Sequence, residues 1–160
     1  MRRLRFHPLS DIPLFESQRL LRGHAFYPGA SVLRSLAPRT PRLPAGEASC
    51  VVYHSAWGHL VVTEIDPETL NGYGWTCLSN FPLGAEWGDL GDMREIEQRR
   101  GHPWEYWERD LHSDDPTAAD AIDRILRRYA PAVTLDAQEE PTSSTTAATP
   151  DRQLPRPAQT

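Results

Sequence analysis

Residues 50–78 constrain the fold more than any other part of the chain. Cys50-Val51-Val52-Tyr53-His54 is β-branched and aromatic, Ser55-Ala56-Trp57-Gly58 carries turn residues, and His59-Leu60-Val61-Val62-Thr63-Glu64-Ile65 is apolar again. Two such runs around a glycine-containing turn predict a β-hairpin. The second run is apolar on both faces, with Leu60 and Val62 on one side and Val61 and Ile65 on the other. That pattern predicts a central strand covered from both sides. By the same period of two, Glu64 falls on the side of Leu60 and Val62, where a buried carboxylate needs a partner. Asp66-Pro67 opens a turn, Asn71-Gly72 is a further turn signal, residues 73–78 read as a third strand and residues 86–90 as a short fourth.

Helical signals flank these strands. Residues 11–22 have a capping Ser10 or Asp11, Pro13 in the first turn and Gly23 at the stop, with Leu14, Phe15 and Leu21 as the buried stripe. Asp92-Met93-Arg94-Glu95 has the shape of a capping box and opens a helix over 92–100, with Met93 and Ile96 facing inward. A third helix runs over 117–129, with Ala118, Ile122, Ile125, Leu126 and Tyr129 on one stripe. Residues 24–49 are punctuated by prolines and read as a long loop with one short element at 31–36. The expected architecture is α+β: a three- to four-stranded, mainly antiparallel sheet packed with about three helices in one domain over 1–130. Residues 131–160 are rich in Pro, Ser, Thr, Ala and Gln and are expected to be a disordered polar tail.

Charge and cysteine content narrow the setting. All 17 basic residues are arginine, which a GC-rich bacterial or phage genome explains. In residues 1–42 eight arginines face only Asp11 and Glu16, a balance of +6; the remainder holds nine arginines against twenty acids, a balance of −11. A basic N-terminal part can steer the chain toward nucleic acid, with Arg2, Arg3, Arg5 and Arg42 as the candidate contacts, although these arginines are dispersed among apolar residues. Cys50 and Cys77 lack any zinc-type spacing and read as two reduced thiols. The longest apolar runs are too short to span a bilayer, and residues 6–11 are too polar for a signal core, so the expected location is cytoplasmic without a membrane partner.

Chemistry-bearing residues gather in three places. In Trp104-Glu105-Tyr106-Trp107-Glu108-Arg109-Asp110-Leu111-His112, a helix would set Glu108 and His112 at i, i+4, a spacing able to hold a divalent metal or a base with its orienter. An extended chain instead puts Glu108, Asp110 and His112 on one face and Trp107, Arg109 and Leu111 on the other, and it fits the short span after Pro103 better. His54 and His59 flank the hairpin turn and can face each other as two weak metal-ligand candidates. Glu64, Asp66 and Glu86 can converge with Glu108 or Asp110, the alternative being that Asp66 caps a turn and Glu64 pairs with an arginine such as Arg109. The sequence has no GxSxG, P-loop, HExxH or GxGxxG. On balance the stretch around Glu108 reads as a structural polar edge, with Arg109 bridging acids from neighbouring strands.

Several blocks, in order, resemble a known family: Thr63-Glu64-Ile65-Asp66-Pro67, the glycine-containing strand at 73–78, Glu86-Trp87-Gly88, the segment 90–97 with Arg100-Gly101, and Glu108-Arg109-Asp110-Leu111-His112. They resemble the bacterial mobile-element family catalogued as domain of unknown function two-nine-five-eight, over a core of about 50–120. Trp87 and Ser113 depart from its pattern, which has an aliphatic and an aromatic residue there. The resemblance implies a small single domain carried on plasmids and integrative elements. It implies no activity, and marks Glu64, Glu86, Glu108, Arg109, Asp110 and His112 as a set to test together. The functional expectation is a non-enzymatic accessory or interaction protein with a protein partner and no cofactor, a reading helped by the aromatics Trp57, Trp87 and Trp104. The alternatives are a metal-dependent hydrolase built on the carboxylate and histidine cluster, and a weak nucleic-acid binder.

Overall fold

The computed structural model describes residues 5–6, 13–78, 84–99 and 106–136. In chain order the elements are β1 (Arg5–Phe6), β2 (Pro13–Leu14), α1 (Arg19–Arg22), α2 (Ala30–Ser35), β3 (Val51–Ser55), β4 (Gly58–Ile65), β5 (Asn71–Leu78), β6 (Glu86–Asp92), α3 (Met93–Gln98), β7 (Glu108–Arg109) and α4 (Ala118–Asp136). The architecture is α+β. Among the described residues β3 to β7 form one antiparallel sheet of five strands in the order β6-β5-β4-β3-β7, one strand more than the upper expectation, and β1 pairs with β2 separately. No described helix is long and apolar enough to cross a membrane.

The hairpin forms as its sequence requires. Val51 pairs with Val62 and the ladder closes at Ser55 opposite Gly58, around Ala56 and Trp57. Gly58 has φ of +143°, and a Cβ there would run into the carbonyl of Cys77, so the turn needs glycine. β4 is the central strand, as its two apolar faces predict. Toward one side, Leu60 and Val62 pack with Val51, Tyr53, Phe26, Leu36, Met93 and Trp107. Toward the other, Val61 packs with Val52, Trp75, Cys77 and the α4 residues Ala118, Ala121 and Ile125. The sheet therefore lies between α4 and a layer made of residues 14–36 and α3.

Two expected alternations fail at one point. The register shifts between Val62 and Glu64, so Thr63 is a bulge, its hydroxyl donating to the Tyr73 carbonyl at 3.3 Å. An inserted residue reverses the in-and-out order beyond it. Ile65 therefore joins Leu60 and Val62 rather than Val61. Glu64, opposite Tyr73, moves to the side away from Leu60 and Val62. The next turn is held by Asp66, whose Oδ1 accepts from the amides of Glu68 and Thr69 at 2.7 and 2.9 Å, so Asp66 is the expected cap. Asn71-Gly72 lies inside β5, not in a turn. Leu70 ends the turn with φ of +61°, yet its side chain is fully buried. A left-handed leucine costs about 1–2 kcal/mol, which burial of its side chain, worth about 1.5–3 kcal/mol, offsets.

The expected helix over 11–22 is a correction. Residues 13–14 are a strand, and only Arg19–Arg22 are helical, closed by a left-handed Gly23. Residues 11–12 lie outside the described residues. The physical reason is tertiary: the amides of Ser17 and Gln18 donate to the Glu97 carboxylate, 3.0 and 2.9 Å away. Leu14 is buried as expected, whereas Phe15 and Leu21 are exposed. α2 matches the short element expected near 31–36, and its end is tied to β4 by the Ile65 amide donating to Leu36 O at 2.7 Å. α3 opens on Asp92, whose Oδ1 accepts from the Arg94 amide at 2.8 Å. α4 starts where expected, its first amides taken up by Ala48 O and Ala45 O at 2.9 and 3.0 Å. It continues through Pro131 to Asp136, so residues 131–136 are helical rather than tail, and residues 137–160 lie outside the described residues.

Candidate functional site

β7 decides where the polar residues of the Glu108 stretch go. It pairs antiparallel with β3, His54 opposite Glu108 and Tyr53 opposite Arg109, and the Asp110 amide extends the ladder to Val52 O at 2.9 Å. The segment is extended, so the helical i, i+4 arrangement of Glu108 and His112 does not occur. Alternation sends Trp107 into the core beneath the N-terminal layer, and its neighbour Trp57 packs against it at 6.1 Å rather than standing free. Trp104 lies outside the described residues. Arg109 also points toward the N-terminal layer, where Nε donates to Ala25 O at 3.2 Å. It bridges no acids among the described residues, because the pleat puts its guanidinium on the opposite face from Glu108 and Asp110.

Those two acids face α4, and there a polar cleft of about 660 Å³ opens, lined by His54, His59, Asp110, His112, Asp115 and Arg124 among others. Arg124, from the first half of α4, is its organising group. Its Nε donates to both Asp115 oxygens at 3.1 and 2.9 Å, and its Nη2 reaches Asp115, Asp110 and Ser113 Oγ at 2.7, 3.3 and 3.3 Å. The hydrogen bonds from Arg124 hold the Asp115 carboxyl below its ordinary range, against a smaller opposing push from burial. Arg124 itself is held protonated more firmly than a free guanidinium, chiefly by its bonds to Asp115. A forked guanidinium between two carboxylates is the arrangement this side chain favours.

The histidines of the cleft do different work. His54 and His59 face each other across the hairpin, as the sequence predicts. His54 Nε2 lies 3.5 Å from Glu108 Oε2. His59 Nε2 lies 3.0 Å from the Tyr129 hydroxyl, and its buried Nδ1 has no hydrogen-bond partner among the described residues. Burial, then the charges of Arg128, His54 and Arg124, lower the His59 pKa to about 4, so its imidazole is neutral at pH 7. The amide of His112 donates to Asp110 Oδ1 at 3.0 Å while its side chain stands exposed. Among the described residues no three His, Cys, Asp or Glu side chains are grouped to hold a metal ion, Glu108, His112, His54 and His59 included.

The other predicted residues lie elsewhere. Glu64 pairs not with Arg109 but with Arg42, Nε to Oε2 at 3.0 Å, and the Arg42 guanidinium carbon sits 3.9 Å from the centre of the Tyr73 ring. Arg109 is level with Leu60 and two strands away, four residues short of Glu64, and the bulge at Thr63 also turns the carboxylate to the opposite face. Glu86 is exposed at the start of β6, opposite Thr76. Arg5 lies in β1, and Arg2 and Arg3 lie outside the described residues.

A buried ion pair has no local sequence signal. Arg22 Nη2 donates to Glu97 Oε1 at 2.5 Å, with both side chains inaccessible to solvent. The same carboxylate accepts from the Ser17 amide, the Ser17 hydroxyl and the Gln18 amide. Burial pushes the Glu97 carboxyl up, but these bonds, led by Arg22, outweigh it and hold the group below the usual carboxylate range. Arg22 and Glu97 are 75 positions apart in the chain, and no periodicity links them.

Comparison with protein-family models, with curated proteins and with solved structures finds no match for this chain.

Proposed function

We propose that the protein works by binding rather than by catalysis, as an accessory or interaction protein with a protein partner. One observation carries this reading. The six polar residues named from the sequence do not meet at one point: Glu64 is on Arg42, Arg109 on a backbone carbonyl of the other face and Glu86 exposed, while at the cleft Asp110 is held by Arg124, Glu108 lies beside His54 and the His112 side chain is exposed. A catalytic constellation needs its nucleophile, base and charge-stabilising donors within reach of one reacting atom. Here Glu64, Asp110 and Asp115 are each bonded to an arginine, which fixes a surface and leaves none of the three as a free base, and Glu108 lies beside His54. The mobile-element setting rests on the ordered residue blocks described above. A cytoplasmic location agrees with the two free thiols Cys50 and Cys77.

The test is affinity purification of the tagged full chain from a bacterial host carrying the native genetic element, with elemental analysis of the same sample. A stoichiometric partner protein that persists with Glu108→Ala and His112→Ala is the expected result. A stoichiometric divalent metal that is lost in Glu108→Ala, with no partner recovered, would overturn the reading in favour of a metal-dependent hydrolase.

A further inference from the structure

The far end of the sheet's α4-facing side, away from the cleft, is hollow. There a cavity of about 210 Å³ lies between the loop after α2 and the ends of β4, β5 and β6, lined by Arg39, Arg42, Thr63, Glu64, Tyr73 and Trp87 among others. Three of these side chains form a continuous ladder of flat groups. The Arg42 guanidinium lies 3.9 Å from the Tyr73 ring centre, and Tyr73 lies nearly parallel to Trp87, 25° apart with ring centres at 6.3 Å. The Arg42 Nε is anchored on Glu64, while the side chain as a whole remains 56% exposed. Trp87 ends the ladder on the edge strand β6, 41% exposed.

An indole left on an edge strand, backed by another ring and a tethered guanidinium, is a surface on which a further flat ring can stack. The charge beside it selects among flat rings. Glu64 is neutralised by Arg42, whereas Arg39 is exposed and makes no ion pair among the described residues, so the cavity rim offers one uncommitted positive charge. Drug-sized ligands occupy about 300–1,000 Å³, so this cavity admits one flat base and leaves charged substituents outside, near Arg39. We propose that this cavity binds a nucleotide: the base stacks on Trp87 and the phosphate is met by Arg39, with Arg42 as the fixed rung behind. The ligand can be a free mononucleotide or one position of a single strand, since both present a base and a phosphate. The inference deepens the binding reading by naming a non-protein ligand, and it uses residues outside the cleft.

The test uses the full chain at low salt. Adenosine monophosphate is titrated calorimetrically, and fluorescently labelled six-nucleotide single-stranded DNA is titrated by anisotropy. Saturable binding of at least one probe is expected. Trp87→Ala should weaken it roughly 5- to 150-fold, the range for one stacked base, and Trp87→Phe should restore most of it. Arg39→Ala, at an exposed residue without an ion pair among the described residues, should weaken binding and lower the salt slope by about one phosphate contact. Binding of the mononucleotide as tight as that of the oligomer indicates a free nucleotide; affinity that grows with strand length indicates a single strand. No saturation with either probe at millimolar concentration, or binding that survives both Trp87→Ala and Arg39→Ala in folded protein, would overturn the proposal. A partner recovered by affinity purification alongside that failure would leave the protein-binding reading intact.

Discussion

Replacing Glu97 by glutamine removes one charge and almost no volume from the buried pair with Arg22. In the native protein each carboxylate oxygen is used twice: Oε2 by the Ser17 amide and hydroxyl, Oε1 by the Gln18 amide and Arg22. A glutamine amide must turn its NH₂ toward one of these pairs. Its best placement keeps oxygen toward Arg22 and nitrogen toward Ser17, where the hydroxyl can rotate to accept but the backbone amide cannot. One amide is then unsatisfied, and the guanidinium, whose Nε and Nη1 already lack hydrogen-bond partners among the described residues, loses its counter-charge. Breaking a buried pair from one side costs about 3–5 kcal/mol. For a chain of this size that lowers Tm by roughly 6–20 °C, at about 2–4 °C per kcal/mol. Urea unfolding followed by circular dichroism at pH 7 measures the loss. Adding Arg22→Met to Glu97→Gln should recover part of it, because the stranded guanidinium is gone. Since the folded Glu97 carboxyl titrates below its unfolded value, its contribution is complete above the usual carboxylate range. It fades as pH falls through the folded pKa, so the gap between wild type and variant should narrow in acid. A Glu97→Gln protein within 1 kcal/mol of wild type at pH 7 would refute the view that this pair pins residues 17–22 to α3.

Arg124→Leu should reduce stability by about 1–3 kcal/mol, the range for a charged hydrogen-bonding group. It should also raise the Asp115 pKa, which carbon-detected NMR of the carboxyl reads directly; an unmoved Asp115 would contradict its control by Arg124. His59, with a pKa lowered to about 4, takes up its proton more readily when unfolded, so it favours unfolding increasingly as pH falls from about 6.5 toward 4. His59→Gln should flatten that part of the stability curve, and a ring titrating near 6.5 in the folded protein by NMR would end the argument. Gly74→Ala directs a methyl at the Val61 carbonyl in the neighbouring strand, so it should cost about 1–3 kcal/mol or more and lower the urea midpoint; an unchanged midpoint would mean that the strands can separate freely.

Features that depend on near neighbours are legible along the chain. The β-branched runs on either side of Ala56-Trp57, the two apolar faces of β4, the Asp92 cap of α3 and the amphipathic start of α4 are all local patterns, and each matches the structure. The Glu108 stretch is extended, the reading that its short span after Pro103 favours, and His54 faces His59 because hairpin register follows from the turn. Tertiary structure decided which charge meets which. The bulge at Thr63 turns Glu64 to the other face and gives it to Arg42; the pleat sends Arg109 away from the acids and leaves Asp110 to Arg124. Ser17 and Gln18 give their amides to Glu97 instead of an early helix. Side-chain alternation is written into short segments, but one inserted residue reverses it, and a charged partner is chosen by distance in space, which residue spacing along the chain does not encode.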